Sequence, residues 1–158
     1  MLSSSFLELL INNGADTGEA FIWAFKHTDI DSTRLLIVCG ADVNKVDPIE
    51  WSPLTWACFI RQEHIMNNRC LSSEQESIID LLISNGADVN YALQKVCGSQ
   101  YDTEKESSIE LLINKGADIY HTVENGSKLL KLLKRDGKKE CVKILQLYGR
   151  KKKKCIIM

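Results

Sequence analysis

Leu81-Leu82-Ile83-Ser84-Asn85-Gly86-Ala87-Asp88-Val89-Asn90 is one of four copies of a single stretch. The others are Leu9-Leu10-Ile11-Asn12-Asn13-Gly14-Ala15-Asp16, Leu35-Leu36-Ile37-Val38-Cys39-Gly40-Ala41-Asp42-Val43-Asn44, and Leu111-Leu112-Ile113-Asn114-Lys115-Gly116-Ala117-Asp118-Ile119. A weaker fifth, Ile144-Leu145-Gln146-Leu147-Tyr148-Gly149, lacks the Ala-Asp. Each copy reads as the last turns of an amphipathic helix closed by glycine. Glycine suits a left-handed residue just past a helix, where a Cβ is unfavourable. An Asp or Asn a few residues on starts a turn through its own side chain. A helix stop repeated at such intervals predicts a solenoid of helical units, hence an all-α fold.

A second pattern stands between the stops: Asp47-Pro48-Ile49-Glu50-Trp51-Ser52-Pro53-Leu54-Thr55-Trp56-Ala57. Ser52 suits a helix N-cap and Pro53 the first helical position. Together with the Gly-Ala-Asp-Val-Asn stops, it resembles the ankyrin repeat. That family pairs a turn or finger with a helix opened by Thr-Pro-Leu-His-x-Ala, then a second helix ending in Leu-Leu. Glu50 stands where the family has glycine, and Thr55 where it has histidine. The resemblance runs over about residues 5–149 and implies about five repeats, some degenerate.

In chain order, residues 1–13 read as a second helix with no first helix before it. Ser3 to Ser5 offer a cap, and Phe6, Leu9 and Leu10 an apolar stripe. This is either the remnant of a longer array or an amino-terminal cap. Gly14 to Gly40 spans 26 residues, short of the family's ~33. The missing part is the finger, so the helix of Glu19 to Lys26 follows the stop directly. Ser32 to Leu36 then belongs to its second helix. From Ser52 to Gly86 there are 34 residues, where the family implies about 21. The excess falls near residues 61–76, as an extended first helix plus a polar loop or as a partner-contacting loop. Tyr91 to Cys97 is another first helix without a finger, and Ser107 to Lys115 its second helix. Lys128 to Arg135 alone resembles a cationic membrane-surface peptide, but its register favours the first helix of the last repeat, core-facing with its lysines solvated. Gly137 falls at that repeat's inter-helix turn.

A formal net charge of −1 conceals an asymmetry. Residues 1–120 hold 8 Lys/Arg against 18 Asp/Glu, whereas residues 121–158 hold 12 against 3. No apolar run approaches the length of a transmembrane helix, and no amino-terminal signal pattern is present. None of the six cysteines forms a Cys-x-x-Cys pair. Most sit at apolar helical positions, where cysteine acts as a small hydrophobe, which implies a reducing, cytosolic setting. His64 and Cys70 match no zinc spacing, so no metal and no cofactor are expected.

Residues 150–158 read Arg150-Lys151-Lys152-Lys153-Lys154-Cys155-Ile156-Ile157-Met158. The ending Cys, aliphatic, aliphatic, Met fits a prenylation box, and the terminal Met favours farnesyl. One isoprenoid gives only marginal membrane binding, so a second signal is needed. Arg150, Lys151, Lys152, Lys153 and Lys154 supply it, at about 1 kcal/mol each near an anionic leaflet. The tail resembles those of polybasic, prenylated small GTPases of the Ras type. The rest of the chain does not, because it has no Gly-x-x-x-x-Gly-Lys-Ser/Thr loop.

The expectation is therefore an ankyrin-repeat domain over residues 1–149 and a disordered basic tail over residues 150–158. The chain reads as a non-enzymatic protein-binding adaptor on the cytosolic face of a membrane, held there by farnesyl on Cys155. The alternative is a soluble ankyrin scaffold or inhibitor whose basic tail serves solubility or nuclear import. The resemblance implies partner contact through finger tips and first helices. The matching residues are Pro48, Ile49 and Trp51, with Phe59 and Ile60 on the helix, and Lys26 and His27 in the earlier repeat. Trp51 is either a binding anchor or packed against the neighbouring finger. The acidic body suits a protein partner with a basic surface, not nucleic acid. No constellation for a small-molecule substrate is present.

Overall fold

A helix must end with its last carbonyls satisfied, and here the repeated stretch does that in one way. In the computed structural model, Gly14, Gly40, Gly86 and Gly116 all adopt left-handed φ, between 81° and 103°. Gly86 N donates to Ile83 O (3.0 Å) and Ala87 N to Leu82 O (3.0 Å). Gly40 and Ala41 repeat this with Ile37 and Leu36, and Gly116 and Ala117 with Ile113 and Leu112. This is the Schellman motif, in which an apolar residue just beyond the glycine packs back on the helix. Ala87 and Ala117 are accordingly buried, as are Leu36, Leu82 and Leu112. Gly137, with φ 72°, closes its helix in the same way.

The structure describes residues 9, 13–15, 17–27, 29–66, 73–99, 105–121 and 128–156, excepting the side chains of residues 25, 26, 61–66, 73–76 and 150–156. The fold is all-α. The helices are α1 (Thr17–Lys26), α2 (Ile30–Val38), α3 (Pro53–Met66), α4 (Ser73–Ser84), α5 (Val89–Gly98), α6 (Lys105–Asn114), α7 (Leu129–Arg135) and α8 (Lys139–Ile156). Leu9 is also helical but exposed, not on a buried stripe, and the rest of its stretch up to residue 12 lies outside the described residues. No strand occurs among the described residues, and no helix among them is long and apolar enough to cross a membrane.

The chain divides into two compact units, Met1–Asp88 and Val89–Met158. Each holds two helical hairpins packed by the same rule. In the first unit α1 packs on α2 and α3, and α4 on α3 and α2. In the second, α5 packs on α6 and α7, and α8 on α7 and α6. The spacing of the buried residues explains the pairing. Ile78, Ile79 and Leu82 make one stripe of α4, and Ile109, Leu112 and Ile113 the matching stripe of α6. Phe21 and Leu54 complete the first core; Leu93, Leu129, Leu133 and Leu145 complete the second. Each such side chain contributes about 1.5–3 kcal/mol on burial. Cys58, Cys97 and Cys141 are buried free thiols. The hydrogen bond with Cys141 and then burial push the Cys97 thiol well up, so it stays protonated.

Asparagine also ties one stop to the next within each unit. Asn44 Oδ1 accepts from Asp88 N (2.8 Å), while its Nδ2 donates to Gly86 O (2.9 Å). Asn90 Oδ1 accepts from Asp118 N (2.7 Å). The Asn that ends one copy thus holds the Gly-Ala-Asp of the next.

Two expectations change. Gly149 does not end a helix but lies buried within α8. A Cβ there would meet Ile119 Cδ1 at 2.7 Å and the Tyr120 hydroxyl at 2.8 Å, so this glycine permits close approach. Residues 150–156, expected as disordered tail, continue α8. Lysine is a fair helix former, and no proline interrupts. In the insertion near residues 61–76, α3 extends to Met66 and α4 begins at Ser73. The rest of that loop, with Cys70, lies outside the described residues.

The second helix of the first hairpin has a cap that sequence reading did not single out. Asp29 Oδ1 accepts from Ser32 N (2.9 Å) and Oδ2 from Ser32 Oγ (2.7 Å). Burial raises the Asp29 carboxyl, but hydrogen bonds from Ser32 and Asp31 outweigh it and hold it below its ordinary value. A depressed pKa stabilises the fold above the unfolded value, near about 3.9, and is lost as pH falls through the folded value.

Two outcomes are expected from urea unfolding. Gly86→Ala loses about 1–2 kcal/mol by conformation alone, since nothing lies within 4 Å of the added Cβ; Gly86→Asn recovers part of it. Asp29→Ala loses about 1 kcal/mol at neutral pH and clearly less well below the unfolded pKa. A loss independent of pH would rule out the charged cap.

Candidate binding cleft

The finger between α2 and α3 is organised by aspartates. Asp42 Oδ1 accepts from Asn44 N (2.8 Å) and opens the first turn. Asp47 opens the second, its Oδ1 accepting from Ile49 N (3.0 Å) and Trp51 N (2.8 Å). Its Oδ2 accepts from Trp56 Nε1 at 2.7 Å. One carboxylate therefore joins the finger to the first turn of α3. Bonds to a charged acceptor are roughly twice as strong as neutral ones. The helix start is as expected: Pro53 is its first residue, and Ser52 Oγ accepts from Thr55 N (3.3 Å). Thr55, at the family's histidine position, is buried with its Oγ1 3.0 Å from Ser52 Oγ.

With the finger fixed, three aromatic rings meet edge to face. Trp51 lies 4.7 Å from Trp56 and 5.2 Å from Phe59, with interplanar angles of 61° and 63°. Such pairs contribute about 0.5–1.5 kcal/mol beyond burial. Beside them is a cleft of about 520 Å³. Phe21 and Ile22 of α1 form one wall, and Val46, Pro48 and Trp51 of the finger another. Pro53 and Trp56 close it from α3, and Glu19, Asp47 and Lys45 bring charge to it. Among the described residues, no Ser, Thr, Cys or His lines it. Its walls offer apolar surface, aromatic edges and carboxylates, which suit recognition.

Of the residues expected to contact a partner, Pro48 and Trp51 line this cleft. Ile49 is 58 % exposed at the finger tip and does not line it. Trp51 is only half-buried, being packed on Trp56 and Phe59. Phe59 supports the cluster from α3. Ile60 is a correction: it is 2 % exposed and belongs to the core. The reason is that α3 packs against both α1 and α4, so two of its faces are covered. His27 is exposed at the end of α1, its ring stacked on Trp23 at 4.2 Å and its Nδ1 2.8 Å from Trp23 O. The Lys26 side chain lies outside the described residues. Arg150, Lys151, Lys152, Lys153, Lys154 and Cys155 belong to α8 of the other unit; their side chains are likewise outside.

Sequence reading missed Asp47 and Trp56 as the hinge of the site, and Phe21, Ile22 and Val46 as its walls. The available signal was Asp47-Pro48, a turn-opening pair. Among the described residues no group of His, Cys, Asp and Glu is arranged to hold a metal. Compared with known proteins, the chain matches no protein-family model and no curated protein.

Glu50 takes the family glycine's place at φ 59°. A non-glycine residue there is strained by about 1–2 kcal/mol. Glu50→Gly is therefore expected to exceed Glu50→Ala in stability by about 1 kcal/mol, after glycine's greater unfolded entropy. Both variants remove the side chain, so thermal unfolding of the pair isolates the backbone. Equal melting temperatures would contradict the strain.

Proposed function

We propose that the chain is a non-enzymatic adaptor of the ankyrin-repeat type, held at the cytosolic face of a membrane by farnesyl on Cys155 and the cations at 150–154. The observation that carries the binding half is the cleft beside the finger. It is built in part from Pro48 and Trp51, two positions that the ankyrin resemblance assigns to partner contact. The repeated stops and the Asn latches support the repeat reading, because one device ties each such stop to the next. The partner is a protein. Residues 1–88 hold 13 Asp/Glu against 5 Lys/Arg, so its complementary face is basic.

The membrane half rests on Cys155-Ile156-Ile157-Met158 beside five contiguous cations. It requires Met158 to be the last residue of the chain in the cell. Either signal alone is marginal; together they give stable anchoring. Cys155 lies in the last turn of α8, where carbonyls lack onward partners and the turn opens at small cost.

Expression in eukaryotic cells, followed by detergent partitioning and intact mass, tests the anchor. The wild type is expected in the detergent phase with an added farnesyl mass, and Cys155→Ser in the aqueous phase without it. An unmodified, aqueous wild type would leave a soluble repeat protein and remove the membrane from its function.

A further inference from the structure

Positive charge is dense in α7 and the first turns of α8. From Lys128 to Lys143 there are seven Lys/Arg against Asp136 and Glu140. Three of them come together: Lys134 at the end of α7, with Lys139 and Lys143 on the first turns of α8, line a cleft of about 240 Å³. The left-handed Gly137 makes this possible, because it reverses the chain within one turn. All three lysines are exposed, and none makes a side-chain hydrogen bond or ion pair among the described residues. Their neighbours are used otherwise. Lys138 Nζ donates to Ser99 O at 3.1 Å, and Arg135 pairs with Asp136 at 2.9 Å.

The surface does not stop at the cleft. Positions 139, 143, 146, 150 and 154 recur on one face of α8 at helical spacing. The line from Lys139 to Lys154 runs about 22 Å along the helix, at 1.5 Å per residue. Only Gln146 interrupts the cations on that line. Leu147, 50 % exposed, stands one turn beyond Lys143 on the same side. A cationic helical face that also exposes an apolar side chain suits the boundary between headgroups and acyl chains. A nucleic-acid backbone offers Leu147 no such boundary.

We propose that this lysine-lined surface of α7 and α8 is a second membrane-docking element. It lies on the phosphates of an anionic bilayer and sets the orientation of the second unit there. The inference rests on the membrane reading above, and it adds a contact made by the folded body, independent of the lipid on Cys155.

The test uses the full chain made in bacteria, which leaves Cys155 unlipidated. Its sedimentation is measured with phosphatidylcholine vesicles, with and without about 30 % phosphatidylserine as an anionic surface. A triple variant, Lys134→Gln, Lys139→Gln and Lys143→Gln, is compared with an equal charge change elsewhere: Lys45→Gln, Lys95→Gln and Lys115→Gln. Circular dichroism and unfolding show that each variant is folded. Each cation near an anionic surface is worth about fivefold in binding, so the cleft triple is expected to lose about a hundredfold and the control far less. Equal losses would mean that net charge alone matters, which overturns the proposal. So would binding that survives in the cleft triple yet disappears when Arg150 to Lys154 are replaced, because the tail would then act alone. A wild type that ignores phosphatidylserine also overturns it, while farnesylation of Cys155, read separately by mass in eukaryotic cells, would stand.

Discussion

A glycine that can turn left-handed is the constraint on which the rest depends. Without it the second helix of a hairpin has no economical end, because a residue with a Cβ resists that φ by about 1–2 kcal/mol. With it, two backbone amides return to the helix they leave, and the following alanine is driven into the core. The chain then exits in a fixed direction. The aspartate turn that follows starts from that exit: Asp42 and Asp118 each bond the amide two residues on. A local backbone preference thereby fixes where the next hairpin begins.

Much of this was legible because it is local. The stops, the Ser52-Pro53 helix start and the unusual Glu50 all follow from steric and hydrogen-bonding rules acting within a few residues. What escaped reading depends on partners distant in sequence. Gly149 carries the same letter as Gly86, yet one ends a helix and the other makes room within one. Only the presence of Ile119 and Tyr120 across the gap tells them apart. Ile60 matches a partner-contacting position of the ankyrin pattern, but α3 is covered on two sides. Trp56 is drawn to Asp47 across nine residues by its indole N–H, which no hydrophobic pattern announces.

The two features proposed to carry function differ in kind. The cleft beside the finger is specific: one carboxylate takes three donors and sets the aromatic cluster beside it. The basic surface of α7 and α8 is diffuse, and its strength comes from number and alignment. The proposed recognition of a partner and the proposed attachment to a bilayer thus draw on separate physics in separate units. Burial and directed hydrogen bonds serve the first; long-range charge, weakened by salt, serves the second.

The asparagine latches carry one more consequence. Each runs a single way along the chain, from the Asn closing one copy to the Gly-Ala-Asp of a later one. The link is head-to-tail, like the joint of a polymer with polarity. In both latches the later copy presents the backbone of a Gly-Ala-Asp turn. The fifth copy cannot, since its glycine is sealed inside α8 and no Ala-Asp follows. The same motif that links one copy to the next thus packs inside a helix at the fifth, by losing two residues and gaining a neighbour.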